Sequence, residues 1–237
     1  EMTDAQIAAQ INTNLLGSIH VVKAALPHLR AQGGGRILQL SSYGGQTTNP
    51  GASLYHASKW GVEGFMESTA KDVAPLGISV TIVEPGGART EFRTGSAQLA
   101  ENKLAVYDDS PAAMTRRIND PTLPPSPGDP VKIARAIIDS VGVDPAPLRL
   151  VLGSDAYSAM HQGLTERLKA LEAQRDQAEA RECKGGDGWM FAGEGCKTGD
   201  QAKAQAEDGE EIRQASQRII RLTFILPAPS HPSADQH

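Results

Sequence analysis

A serine, a tyrosine and a lysine between Ser42 and Lys59 have the types and spacing for proton transfer. Tyr55 and Lys59 are four residues apart, so on a helix they share a face. Ser42 closes an apolar run thirteen residues before Tyr55, where its hydroxyl can enter the same cleft. Free tyrosine titrates near ~10, so a phenolate at neutral pH needs a depression of about three units, on the order of 4 kcal/mol. A unit cation ~4 Å away, at an effective dielectric of ~20, supplies about that much. Lys59 is the candidate cation, Tyr55 the candidate acid/base and Ser42 the candidate donor to a developing oxyanion.

The elements that must position these residues follow from periodicity. Thr3-Asp4-Ala5-Gln6 reads as a capping box, and Ile7, Ile11, Leu15, Ile19, Val22 and Leu26 continue it as one helical stripe to about Leu29. Gly33-Gly34-Gly35 ends that helix; it precedes a strand, so it is a turn rather than a phosphate cradle. Arg36–Ser42 suits a buried parallel strand, and Ser53–Leu76 a second long helix that carries Tyr55 and Lys59. Ile78–Glu84 is a second, β-branched strand stopped by Pro85-Gly86-Gly87. Glu91–Gly128 is long, polar and proline-rich, as a functional or moving segment is. A helix from Pro130 to about Val141, a strand at Leu148–Leu152 and a helix from about Asp155 to Ala178 complete the pattern. Helix and strand alternate throughout, which predicts an α/β fold with a parallel sheet.

Composition narrows the function classes. The 237 residues carry a net charge of −5, with 39% hydrophobic and 22% charged residues, and give no reason to expect nucleic acid or a membrane as partner. No apolar run approaches the ~18 residues of a spanning helix, and no signal-peptide pattern opens the chain. Cys183 and Cys196 come late, so no disulfide framework is expected and the cytoplasm is the expected compartment. They also lack a second ligand pair spaced for zinc, so no metal site is expected. From Arg181 onward polar, charged and Gly-rich stretches alternate; residues 1–180 are read as the folded part and 181–237 as a disordered tail. Gly193–Gly199 lacks the order of a nucleotide loop and carries little weight.

Asn14 in NTNLLG, Ser42 in LQLSS, Tyr55-His56-Ala57-Ser58-Lys59 and Pro85-Gly86-Gly87-Ala88-Arg89-Thr90 together resemble the short-chain dehydrogenase/reductase family, single-domain Rossmann branch, over residues 1 to about 175. YxxxK alone is weak; four motifs in register are strong. Pro127-Gly128-Asp129-Pro130 and Pro147-Leu148-Arg149 resemble a bacterial subgroup of oxidoreductases. The resemblance implies an NAD(P)-dependent interconversion of an alcohol with a ketone or aldehyde. It makes Asn14, Ser42, Tyr55 and Lys59 catalytic, Asn14 through a water in the proton relay. It places Tyr55, Lys59, Pro85, Gly86 and Thr90 against the nicotinamide and its ribose. NADP is favoured over NAD through the subgroup, and a homodimer or homotetramer is implied, with the two long helices as subunit interfaces. Alongside these roles, an asparagine inside a helix is more often simply tolerated. His20, His28 and His56 read as surface or satisfied residues, Glu84 as solvated, and Trp60 and Phe65 as packing.

The family's Gly-rich turn TGxxxGxG and its NNAG motif occur nowhere in the sequence. The chain begins at Glu1 on the helix that follows the family's fourth strand. The expected fold is therefore the C-terminal half of a doubly wound sheet, strands five to seven with their helices. Its first strand should expose an unpaired apolar edge, and the chain alone is expected to bind cofactor poorly and to be inactive. Two other readings stay open. One is an epimerase or dehydratase relative, against which the short remainder after Pro85-Gly86 argues. The other is a non-catalytic fragment or assembly module pairing through its long helices. The substrate is not named by the sequence: a hydrophobic alcohol, a steroid- or retinoid-like ketone and a sugar all remain.

Overall fold

The computed structural model describes residues 1–180. Glu1–Asp176 forms one compact unit; of the second, Gln177–His237, the described residues are the first four. The expected tail over 181–237, its cysteines and its Gly-rich loop lie outside the described residues.

The Thr3 capping box forms as read: Gln6 N–H donates to Thr3 Oγ1 at 3.3 Å and Thr3 N–H to Gln6 Oε1 at 3.1 Å. It starts α1 (Asp4–Ile11), which runs through a wider π turn at Asn12–Leu16 into α2 (Gly17–Ala31). β1 (Gly35–Leu40), α3 (Ser53–Val73) and β2 (Ile78–Pro85) follow. Short helical turns fill much of the stretch from Phe92 to Arg117. Then come α4 (Pro130–Asp139), β3 (Arg149–Leu152), α5 (Ser154–Glu172) and α6 (Arg175–Glu179). The last helix of the sequence reading is thus two helices. The fold is α/β, with a parallel sheet in the order β1-β2-β3 and β2 central.

Strand alternation sorts the sheet faces. Ile37 of β1 and Ile78, Val80 and Ile82 of β2 share a core with Val22, Leu26 and Leu29 of α2 and Val62, Met66 and Val73 of α3. Val62 and Met66 are wholly buried, each contributing about 1.5–3 kcal/mol of transfer free energy. The alternate residues of β1 are less protected: Leu38 is 37% and Leu40 55% exposed. Among the described residues, β1 pairs on one side, with β2. No described helix is long and apolar enough to cross a membrane.

Candidate active site

The three residues from which proton chemistry was expected are brought together by β1 and α3. β1 delivers Ser41 and Ser42 at its C-terminal end, where Ser41 N–H still donates to Val83 carbonyl at 2.8 Å. Ser42 then caps a tight turn, Tyr43–Gly45, its Oγ accepting from Gly44 N–H at 3.1 Å. Both serines are buried, but they face different neighbours. The Ser42 hydroxyl lies on the Tyr55 side and draws the phenol's proton affinity down. Ser41 Oγ instead lies on the Glu63 side of Gly45, where a Cβ on that glycine would come within 2.9 Å of Ser41 Oγ and 2.7 Å of Glu63 Cγ.

Burial pushes the Tyr55 phenol above its ordinary range; the Ser42 hydrogen bond pulls it back in part, and Tyr43 raises it further. This differs from the expected depression by Lys59. The Lys59 ammonium lies 6.0 Å from the centre of the Tyr55 ring and donates to Leu40 carbonyl at 3.4 Å. At that separation the charge does not offset desolvation. Burial likewise lowers the Lys59 ammonium, with Glu63 opposing it. The resting site therefore holds a protonated phenol.

Asn14 sits in the π turn, a geometry often found at functional sites. Its Nδ2 donates to Ser58 Oγ at 3.1 Å, and Ser58 Oγ donates to Tyr55 carbonyl at 2.7 Å. Its carbonyl accepts from Ser18 Oγ at 2.9 Å. Asn14 thus reaches the backbone of the Tyr55 turn.

Pro85 closes β2, and Gly86 N–H donates to Leu152 carbonyl at 2.8 Å. Gly87 N–H donates to Asp155 Oδ2 at 2.7 Å, and a Cβ on Gly86 would fall 2.3 Å from Asp155 Oδ1. The glycine lets the first turn of α5 seat directly on the end of β2. Thr90 is exposed and its Oγ1 accepts from Phe92 N–H at 3.4 Å. Phe92 in turn brings its ring to 6.5 Å from that of Tyr55.

Several residues around the site carry more than their types suggested. His56 is buried and satisfied: Nδ1 lies 2.8 Å from Gly44 carbonyl and Nε2 2.8 Å from Asn49 N–H. These partners fix the tautomer with the proton on Nδ1. Glu84, read as solvated, is 0% exposed, and this corrects that reading. It faces Glu63 and Arg149, whose Nε lies 3.3 Å from Glu84 Oε1 and 3.4 Å from Glu63 Oε2. Burial first, then the Glu63 charge, pushes the Glu84 carboxyl up to about 7, against the pull of Arg149. Arg149 also donates to Glu67 Oε2 at 2.7 Å and so holds that carboxyl below its usual range. Asp155 and this carboxylate cluster were missed as site neighbours; an acid beside a Pro-Gly strand end was the available signal.

Trp60 is 41% exposed, with the Arg167 guanidinium 4.7 Å from the centre of its ring. An open groove of about 700 Å³ lies beside it, walled by Pro50, Ser53, His56 and Ala57 among others. Ser42, Tyr55 and Lys59 are not among its walls.

Residues 1–100 match the short chain dehydrogenase family profile. An oxidoreductase of Botryotinia fuckeliana, BOA17, is 40% identical over 152 residues, covering 62% of this chain and 53% of that protein. The 3-ketodihydrosphingosine reductase of Bacteroides thetaiotaomicron is 40% identical over 90 residues, covering 38% of this chain and 34% of that protein. The crystal structure of a short-chain dehydrogenase from Streptomyces avermitilis superposes with a TM-score of 0.69 at 31% identity, covering 76% of this chain and 65% of that one. The chain spans 53 to 56% of the length of the two curated fungal relatives compared, from Botryotinia fuckeliana and Schizosaccharomyces pombe. With the motifs in register and the parallel sheet in place, the chain is similar to the short-chain dehydrogenase/reductase family over its described residues.

Proposed function

We propose that this chain carries the catalytic half of an NAD(P)-dependent oxidoreductase that interconverts an alcohol with a ketone or aldehyde, Tyr55 serving as acid/base. The carrying observation is the convergence of the Ser42 hydroxyl on a half-buried Tyr55 phenol whose proton is held tightly. A protonated phenol is the acid that carbonyl reduction needs, since the carbonyl oxygen must gain a proton as its carbon gains a hydride. In this reading Ser42 donates to the same oxygen as charge builds on it. The reductive direction is therefore the one this arrangement favours.

The residues fit the nicotinamide end of a dinucleotide. Lys59 uses one of its three ammonium donors on Leu40 carbonyl, leaving two for ribose hydroxyls. Pro85, Gly86 and the exposed Thr90 hydroxyl would line the nicotinamide side. A bound nicotinamide would supply or remove the hydride. No TGxxxGxG exists in the sequence to take the pyrophosphate, so we expect the 237-residue chain alone to bind NADPH weakly and not to turn over. NADP over NAD rests on the subgroup resemblance. Association through α2 and α3, where Val21 and Trp60 are exposed, belongs to the same reading.

The test adds a βαβ segment bearing TGxxxGxG ahead of Glu1 and assays ketone reduction, with 3-ketodihydrosphingosine among the first ketones tried. Tyr55→Phe should lower turnover by about 10² to 10⁴ and leave NADPH affinity unchanged. Turnover that survives in the phenylalanine variant removes Tyr55 from its assigned role. Isothermal titration of the 237-residue chain with NADPH is the companion experiment; tight binding overturns the weak-binding expectation.

A further inference from the structure

We propose that Glu63 and Glu84 form one acid pair that shares a single proton beneath the Ser41–Gly45 turn, clamped by Arg149, and that this pair positions Ser42 and Lys59. The positioning role rests on the proton chemistry proposed above; the shared proton does not.

The arrangement of charges and unpaired oxygens around Arg149 supports it. One guanidinium, Arg149, faces the three carboxylates of Glu63, Glu67 and Glu84. Glu67 is the outermost and takes the short contact, with Lys71 as a second cation at 3.3 Å. Glu63 and Glu84 are left deep, 4% and 0% exposed, with Arg149 Nε at 3.4 and 3.3 Å. Glu63 Oε2 accepts from Gln46 Nε2 at 3.1 Å, but Glu63 Oε1 and both Glu84 oxygens have no hydrogen-bond partner. Two buried carboxylates this close do not both ionise when the cation they share is already bonded elsewhere. A proton held between them supplies the missing donor and removes the excess charge. The rise of the Glu84 carboxyl, caused first by burial and then by the Glu63 charge, agrees with this.

The pair touches the site from below. Gly45 leaves no room for a side chain above Glu63: a Cβ there would lie 3.0 Å from Glu63 Oε1 and 2.9 Å from Ser41 Oγ, itself buried and unpartnered. Ser42 Oγ is held by the same turn through Gly44 N–H. Gln46, which leaves the turn, is tied to Glu63 by its side chain and to Arg167 of α5 by its carbonyl. Lys59 stands one helical turn before Glu63, and the Glu63 charge acts on its ammonium. The groups facing the pair are therefore Lys59 and Glu67 on α3, Arg149 on β3, and Ser41 and Gln46 on the turn, with Arg167 behind Gln46. Full ionisation of the pair would place a second buried negative charge under the turn and strengthen the pull on the Lys59 ammonium. Glu63 and Glu84 act through Ser42 and Lys59 and are positioning residues.

The experiment is a pH titration of the intact 237-residue chain by NMR, following ¹³C-labelled glutamate carboxyls and the amides of Gly44 and Gly45. A carboxyl titrating well above the ordinary glutamate range is expected, with the two glycine amides shifting at the same midpoint. Glu84→Gln and Glu63→Gln should each abolish that step, and Arg149→Lys should move its midpoint. A wild-type chain whose glutamates all titrate in the ordinary range overturns the shared proton, whether or not the variants fold. A shared step that leaves the Gly44 and Gly45 amides unmoved overturns the positioning role. None of these readouts needs turnover, so failure of the Tyr55 assignment is seen separately, in the Tyr55→Phe assay.

Discussion

Asn14 and Ser58 are hydrogen-bonded across the helix pair, Nδ2 to Oγ at 3.1 Å, and through Ser58 the bond reaches the carbonyl of Tyr55 at 2.7 Å. Ser58 is wholly buried, so its oxygen has no water to fall back on. Asn14→Ala should cost about 1–2 kcal/mol in unfolding free energy, measured by urea denaturation. Asn14→Asp should cost at least as much, because it exchanges a donor for a partly buried charge. Wild-type stability in Asn14→Ala would mean that the π turn, and not this bond, holds the two helices in register.

His56 staples the loop that follows Ser42. Its ring joins Gly44 carbonyl to Asn49 N–H, so the Ser42 turn and the start of the following loop are tied to α3 by one side chain. His56→Ala removes both bonds and should destabilise the chain by about 2 kcal/mol, roughly 1 per bond. Amide exchange should report the same change locally: Gly45 and Asn49 lose protection first, ahead of the β1–β2 ladder. Uniform loss of protection across the sheet would show instead that His56 supports the whole core.

How far the sequence carried this picture differs by residue. The i,i+4 relation of Tyr55 and Lys59 and the capping box at Thr3 are local, and local rules place them. The π turn at Asn12–Leu16 left no mark, because the apolar spacing Ile11, Leu15, Ile19 reads the same through a wider turn. The state of Glu84 depends on Arg149, which arrives from β3, and on Glu63 from α3. No window around Pro85 contains either. The phenol erred in sign for a related reason: helical spacing puts Lys59 on the correct face but does not say that its ammonium turns to Leu40 carbonyl.

Gly86 and Asp155 should be energetically coupled. A methyl at Gly86 would collide with the Asp155 carboxylate, 2.3 to 2.6 Å from its heavy atoms, while Asp155 Oδ2 holds Gly87 N–H at 2.7 Å. Gly86→Ala alone forces Asp155 away and breaks that bond. In an Asp155→Gly background the methyl has room. A double-mutant cycle on unfolding free energy should give a coupling of about 1–3 kcal/mol, with Gly86→Ala less costly in the Asp155→Gly chain. Additive costs would place the strain in the backbone rather than against the carboxylate.

Glu84 gives stability a pH slope of unusual sign. Its carboxyl is raised by burial, then by Glu63, from an unfolded value of 4.5 to about 7 in the folded chain. Between those values the folded state binds the proton more tightly than the unfolded state does. Unfolding free energy from this group is therefore greatest below the lower value and declines as pH rises through the upper one. The full excursion is on the order of 3 kcal/mol. Glu67 and Asp120 act oppositely, since both carboxyls are depressed, but their contribution is lost only as pH falls into the acid range. Urea midpoints of the wild-type chain should therefore fall between about pH 5 and about pH 8. Glu84→Gln should flatten that interval while leaving the acid limb unchanged. A wild-type midpoint that stays level across the interval would mean that Arg149 keeps Glu84 ionised throughout.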